Sequence, residues 1–237
     1  MNLYWFHSLK SSCPLLYKIL RKAGDPFLQY KLRSEKKKRN NIFKQNSIQV
    51  FSDFCDAFND VNEEFWLTFG TLLGAVREHG FIAHDLDIDV GVMDTVDFKK
   101  LDKSLRRHGF MLTRKIEIYS KQDPASGFEI TYGKESVTID IFVFHRLDAI
   151  NIQTHDFLQG VDSPDFQIYK TVRKIILPMK ELIDYKFLDR NVLIPKNYKD
   201  YLSAHYGESY MIPDPTWTTL SSPAAKIQEG SIGVFFK

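Results

Sequence analysis

Asp85, Asp87 and Asp89 alternate with the apolar Leu86 and Ile88 inside the stretch FWLTFGTLLGAVREHGFIAHDLDIDVGVMD, Phe65 to Asp94. In an extended strand, side chains at i and i+2 share a face and lie about 6–7 Å apart. The spacing therefore lines up two or three carboxylates. Like charges so close repel unless a cation stands among them, and an all-oxygen set suits Mg²⁺ or Mn²⁺. Asp87 and Asp89 are thus the candidate metal ligands. An isolated D-x-D is more often a solvated strand end, but here a glycine turn precedes it. Gly70-Thr71 stands between a predicted strand and a predicted helix, sixteen to nineteen residues before the acids. Glycine lets the backbone approach a phosphate, the helix N-terminus offers N–H groups to an anion, and the Thr71 hydroxyl adds a donor. Most Gly-Thr turns only cap helices, and no G-K-[ST] follows to make a Walker A loop. Asp140 is the only charge in the run VTIDIFVF. An acid there is costly to bury unless it meets a cation; a strand-edge acid paired with a lysine is the plain alternative.

Regular elements must hold these groups in place. Ile48, Phe51, Phe54/Cys55, Phe58 and Val61 recur every three to four residues from Asn46 onward and predict a helix whose apolar stripe packs on a sheet. Phe51, Phe54 and Phe58 are read as core. A buried strand is predicted over Phe65–Phe69, a short helix over Leu72–His79 stopped by Gly80, and the acid-bearing strand over Asp87–Val92. A helix over 95–108 follows, with Val96, Phe98, Leu101 and Leu105 inward, then strands over Phe110–Tyr119, Gly127–Tyr132 and Val137–His145. Residues 151–165 read as loop, 166–178 as strand or strand and turn, and a short helix follows Pro195 with Tyr198, Leu202 and Tyr206 on one face. The pattern is α+β, a mixed sheet with helices packed on it.

The chain has 237 residues, enough for a full core, with 43% apolar and 26% charged residues. Cys13 and Cys55 form no C-x-x-C pair or zinc set, which predicts reduced thiols and a cytoplasmic setting. No signal peptide or stretch of eighteen apolar residues is present. The net charge of +2 hides an asymmetry: residues 1–40 carry ten Lys/Arg against Asp25 and Glu35, so the remainder is acidic. Aromatic and aliphatic residues among those lysines could lie on an anionic membrane surface; a loosely packed extension is the equal alternative. Nucleic acid is not expected as a partner, because the body of the chain is acidic.

Gly70-Thr71, two carboxylates on the next strand and a third on a later one resemble the nucleotidyltransferase superfold. More closely, FGTLLGAVREHGFIAHDLDIDVGV resembles the signature of the LicD/fukutin family: a G-T-L-L-G-x-x-R turn and helix, a glycine, then an H/W-D-x-D-x-D strand. IPKNYKDYLSAHYGESYMIP resembles that family's C-terminal block. The resemblance covers roughly residues 46–215, leaving 1–45 as a basic, helical N-terminal extension and 216–237 as a C-terminal appendage. Two departures stand out: Leu86 where many members have an acid, and Ala83-His84 where Pro-Trp is common.

The resemblance implies a metal-dependent phosphotransferase. Members move phosphocholine, or an alditol phosphate such as ribitol or glycerol phosphate, from a CDP-activated donor to a sugar hydroxyl of a glycan, releasing CMP. Carried over, Asp87 and Asp89 hold the metal and Gly70 and Thr71 face the diphosphate. Arg77 takes a phosphate, unless it serves as a structural ion pair with Asp85 or Asp94. Asp140 is the third catalytic carboxylate, Asp85 flanks the metal, and His84 touches base or ribose or is a structural imidazole. The acceptor glycan would be lipid-linked, with the basic arm of residues 1–40 holding the enzyme at the inner face of the membrane. Two rival readings use the same residues. One is a nucleotidyltransferase moving an NMP from an NTP and releasing pyrophosphate. The other is a non-catalytic binding module, which the presence of all three acids argues against.

Overall fold

The computed structural model describes residues 26–120, 128–162 and 165–236. Residues 1–41 and 42–237 form two units. Within the described part of the first lies the opening of helix α1 (Pro26–Asn59), which runs on into the second. Residues 27–41 of the expected helical extension are thus helical, while residues 1–25 of the basic arm lie outside the described residues. In the larger unit the stripe of α1 is core as predicted: Phe51, Phe54 and Phe58 are at most 1% exposed. Phe51 meets the Phe187 ring at 5.6 Å and Phe54 that of Phe110 at 5.9 Å. Ile48 departs from the predicted stripe and faces solvent, whereas Phe43 and Val50 complete it.

After α1 come β1 (Trp66–Leu67), α2 (Phe69–Arg77), β2 (Asp87–Met93) and α3 (Phe98–Arg107). The strand expected over Phe65–Phe69 is only two residues long, because Thr68 already accepts from Leu72 N–H at 2.9 Å and opens the helix. Then follow β3 (Met111–Ser120), β4 (Phe128–Lys134), β5 (Val137–Arg146), β6 (Asn151–Asp162) and β7 (Phe166–Pro178). The hairpin β8 (Leu182–Phe187) and β9 (Arg190–Pro195), helix α4 (Tyr198–Tyr206), a 3₁₀ turn (Thr219–Ser221), β10 (Ala225–Ile227) and β11 (Ser231–Phe236) complete the chain.

All eleven strands belong to one mixed sheet. β2 runs parallel to β5, and β1 parallel to β9; the other pairs are antiparallel. Strands β11, β3, β4, β5, β6 and β7 pair in a closed circuit, a barrel-like ring, and β2, β1, β9 and β8 extend from β5 as a wing. The mixed α+β reading holds; the ring is the part that the sequence does not announce.

Two expectations are corrected. Residues 151–162 are not loop but β6, paired with β7 from Asn151 opposite Pro178 to Asp162 opposite Gln167. Three of its four buried positions are polar: beside the buried Ile152, Gln153, Thr154 and His155 are each under 9% exposed, so no apolar alternation marks the strand. Thr154 Oγ1 donates to the Val143 carbonyl at 2.9 Å, and His155 Nε2 pairs with Gln228 Oε1 at 3.0 Å. The C-terminal segment is likewise no appendage, since β11 lies between β3 and β7 and closes the ring.

One buried contact ties the C-terminal block to the turn before α2. Tyr201, on α4, and Thr68 are both 0% exposed, and their hydroxyls lie 2.7 Å apart. Tyr201→Phe would leave the Thr68 hydroxyl without that partner, and a loss of about 1–2 kcal/mol is expected in urea unfolding. An unchanged midpoint would show that the contact contributes nothing.

Candidate active site

The sheet register assembles the site. Asp89 on β2 lies opposite Asp140 on β5, Asp140 opposite Thr131 on β4, and Thr131 opposite Arg114 on β3. Directly paired residues share a face, so one row across four strands reads Asp, Asp, Thr, Arg. Asp87 stands two residues before Asp89 on that face. Asp85 lies outside the strand, in the turn leading to it, where its N–H donates to the Ile82 carbonyl at 3.0 Å. The carboxylate still reaches the same place: a Cβ on Gly70 would sit 2.8 Å from Asp85 Oδ2 and 3.1 Å from Asp89 Oδ2.

The turn into α2 supports this cluster. Gly70 N–H donates to Asp89 Oδ2 at 3.0 Å, and Thr71 Oγ1 accepts from Asp89 N–H at 2.8 Å. Thr71 is 3% exposed and sits behind Asp89, outside the cavity lining. Phe69, just before, has φ +40°, a conformation that bulky residues rarely adopt. Its ring is held against Phe142 at 4.7 Å and His205 at 4.6 Å. Packing on both sides keeps the strained residue in place, which aims the N-terminal turn of α2 at the acids.

A cavity of about 570 Å³ opens over this row, a size that suits a small-molecule ligand. Gly70, Arg77, His84, Asp85, Asp87, Asp89 and Asp140 all line it, so seven of the eight predicted site residues converge. Arg77 pairs with Glu78 Oε1 at 2.9 Å and donates to the Tyr210 carbonyl at 3.3 Å, not to Asp85 or Asp94. Its Nε is buried and has no hydrogen-bond partner among the described residues. His84 sits on the rim with its side chain 75% exposed, 4.0 Å from Asp85. Arg114, Glu129, Asp156 and Tyr169, which the sequence did not single out, complete the walls from the ring, and Tyr206 and Trp217 line the cavity from the C-terminal segment.

Electrostatics match the crowding. Burial, then the charges of Asp87, Asp140 and Asp85, push the Asp89 carboxyl well above its ordinary range, against the Gly70 N–H. Burial and Asp87 likewise raise Asp85. Asp140 is raised by burial although the Thr131 hydroxyl donates to it at 2.5 Å and Arg114 lies 3.7 Å away. Burial, then Asp89 and Asp85, drive the Tyr206 phenol well up. His205 is held neutral, pushed down to about 3 by burial and Arg173.

Such a set fits a cation. Carboxylates that cannot all ionise beside one another are relieved by a divalent ion, and oxygen donors suit a hard one. No three His, Cys, Asp or Glu side chains among the described residues make a ready-formed cage. Two of these carboxylates would be enough to hold such an ion.

Residues 62–197 match the model of the family described as LicD/FKTN/FKRP, nucleotidyltransferase domain. The chain belongs to the LicD family. The matched span holds all eight residues singled out in the sequence, while α4 and β11, the strand that completes the ring, lie beyond it. Among curated proteins the chain is similar to ribitol-5-phosphate transferase FKTN of Mus musculus, 28% identical over 184 residues, 77% of this chain and 37% of that protein. The human counterpart is 26% identical over 184 residues, 76% of this chain and 36% of that protein. An uncharacterized Rickettsia prowazekii protein, RP689, is 26% identical over 163 residues, 68% of this chain and 53% of that protein. The chain spans little more than a third of the length of the two transferases.

No described helix is long and apolar enough to cross a membrane. Cys55 is a free, buried thiol, pushed up to about 12 by burial; Cys13 lies outside the described residues.

Proposed function

We propose that this LicD-family chain transfers a phosphorylated group, an alditol phosphate or phosphocholine, from a CDP-activated donor to a sugar hydroxyl, and that its catalytic unit is a nucleotidyltransferase-like sheet. The observation that carries the reading is the meeting of Asp87, Asp89 and Asp140 on paired parallel strands beside the N-terminus of α2. The name of the FKTN relatives favours ribitol phosphate among the groups.

In this reading Asp87 and Asp89 hold Mg²⁺ or Mn²⁺, which when bound neutralises the diphosphate and the leaving CMP. Without such compensation the acids of the cavity would repel a diphosphate. Arg77 offers its unpartnered Nε–H to a phosphate oxygen. Gly70 N–H fixes the Asp89 carboxylate, and Thr71 holds the Asp89 backbone from behind. Asp140, oriented by Thr131 and Arg114, lies where an acceptor hydroxyl can pass its proton to it. The hydroxyl oxygen forms a bond to the distal phosphorus, the bond from that phosphorus to the bridging oxygen breaks, and CMP departs with the electron pair. Positioning and charge compensation supply most of the rate. His84, on the rim, is placed to meet the nucleoside.

The test is release of CMP from CDP-ribitol, CDP-glycerol and CDP-choline, with Mg²⁺ or Mn²⁺ and a glycan acceptor. Metal-dependent CMP from one donor is expected. Pyrophosphate from an NTP, with no CMP from any donor, would replace this reading by nucleotidyl transfer, the alternative that uses the same acids.

The basic arm of residues 1–40 suits peripheral contact with anionic lipid near a lipid-linked acceptor. Removing it should abolish sedimentation with phosphatidylserine vesicles at physiological salt while turnover of a soluble acceptor persists. Undiminished sedimentation would show that the anchor lies elsewhere.

A further inference from the structure

The cavity has a second half that the phosphate chemistry does not use. Besides the acids of β2 and Asp140 it is lined by ring residues, Arg114 of β3, Glu129 of β4, Asp156 of β6 and Tyr169 of β7. Both acids are already compensated. Arg114 Nη2 lies 2.5 Å from Glu129 Oε1, and Arg173 Nε donates to Asp156 Oδ1 at 2.9 Å. Glu129 is 8% and Arg173 5% exposed, so these are buried pairs and not solvated surface charges. Burial carries the Glu129 carboxyl up to about 7, with Arg114 opposing and Asp140 and Asp156 adding to the rise.

A compensated, buried carboxylate has little net attraction for a cation. It keeps acceptor capacity, because each carboxylate offers about four lone-pair sites and one guanidinium fills only some of them. Donors stand beside the acceptors: Arg114 also reaches Thr131 Oγ1 at 3.2 Å, and the Tyr169 hydroxyl donates to Gln167 at 3.0 Å. The walls between are aromatic, with Phe157 and Tyr169 ring centres 5.8 Å apart and Phe142 beside Phe69. Acceptors and donors in alternation, flanked by apolar faces, match a neutral ligand that carries many hydroxyls on a C–H skeleton. They do not match a quaternary ammonium, which would face the Arg114 guanidinium.

We infer that Arg114, Glu129, Asp156 and Tyr169 form a polyol subsite that binds the hydroxyl-bearing part of a substrate and selects it over a trimethylammonium group. The inference rests on the phosphotransferase reading only for which substrate part it holds. The shared chemistry is a chain or ring of hydroxyls, supplied either by the transferred alditol or by the acceptor sugar.

Saturation-transfer NMR on the full chain tests it with four probes: ribitol 5-phosphate, methyl galactoside, choline phosphate, and CMP with Mg²⁺. Ribitol 5-phosphate or methyl galactoside, or both, should bind, and which one does identifies the source. Choline phosphate should bind at least tenfold more weakly. The isosteric Glu129→Gln and the cavity-wall Tyr169→Phe should weaken the bound polyol about tenfold and change the apparent affinity for CMP less than twofold. Tyr169→Phe removes one hydroxyl at a partly exposed position and keeps the test decisive if Glu129→Gln does not fold. No polyol signal from the wild type, equal binding of choline phosphate, or unchanged polyol affinity in a folded variant would overturn the subsite. Equal loss of CMP in a folded variant would also overturn it, as general damage. Polyol binding without any CMP binding would retain the subsite and reject the CDP-donor reading.

Discussion

Asp89→Asn is expected to abolish metal-dependent CMP release, by about a thousandfold, while leaving the protein folded and more stable without metal. Asparagine is isosteric and can still accept from Gly70 N–H, so the turn into α2 survives. What is lost is one of the two carboxylates proposed to hold a divalent ion. What is relieved is repulsion, for Asp89 stands half-buried and beside the charges of Asp87, Asp140 and Asp85.

The sign of the pH dependence follows. A carboxyl whose folded pKa is raised binds its proton more tightly in the folded than in the unfolded chain. Its contribution is fully present at low pH and falls as the pH rises from the ordinary carboxylate range through the shifted value. Asp85, Asp89 and Asp140 are all raised, and Glu129 lies at about 7. The melting temperature of the metal-free wild type, followed by circular dichroism, should therefore decline between about pH 4 and pH 8 from these groups. Asp89→Asn should flatten that decline. Mg²⁺ at neutral pH should raise the wild-type melting temperature and leave the variant unmoved. An active Asp89→Asn enzyme would remove the acid from the mechanism, and an Mg²⁺ shift retained in the variant would move the ion elsewhere.

Gly91→Ala is expected to cost about 3 kcal/mol or more, the upper end of overpacking. Gly91 pairs with Trp66 across β2 and β1, and an added Cβ would sit 2.4 Å from indole Cε2. Trp66 is 1% exposed and rests against Phe144 at 5.1 Å between centroids, so the ring has nowhere to go. Shifting β2 instead would move Asp89, two residues away on the same strand, and activity should fall with stability. Gly133→Ala is the matched control: its new Cβ meets Thr113 Cγ2 at 3.1 Å and the Val137 carbonyl at an ordinary 3.9 Å. Urea midpoints for the two variants decide the point, and a Gly91→Ala midpoint equal to wild type would show that β1 yields freely.

The sequence by itself determined the parts of this protein whose logic is local. The i, i+2 spacing of Asp87 and Asp89, the glycine at the mouth of α2 and the aromatic stripe of Phe51, Phe54 and Phe58 each follow from strand or helix periodicity, which a short window carries. The acid in an apolar run marked Asp140 for the same reason. Tertiary structure alone decided what depends on register and closure. Nothing near Arg114 or Glu129 announces that they stand in the same wall as Asp140, because the pairing of β3, β4 and β5 sets that row. β6 escaped notice because three of its four buried positions are polar, and β11 because the strands that sandwich it lie far back in the chain. Thr71 shows the same limit: the sequence located its hydroxyl at the turn, and only the fold placed it behind Asp89. Local patterns specify which side chains share a face; which faces meet is fixed by contacts between distant segments, whose signal is spread over the whole chain.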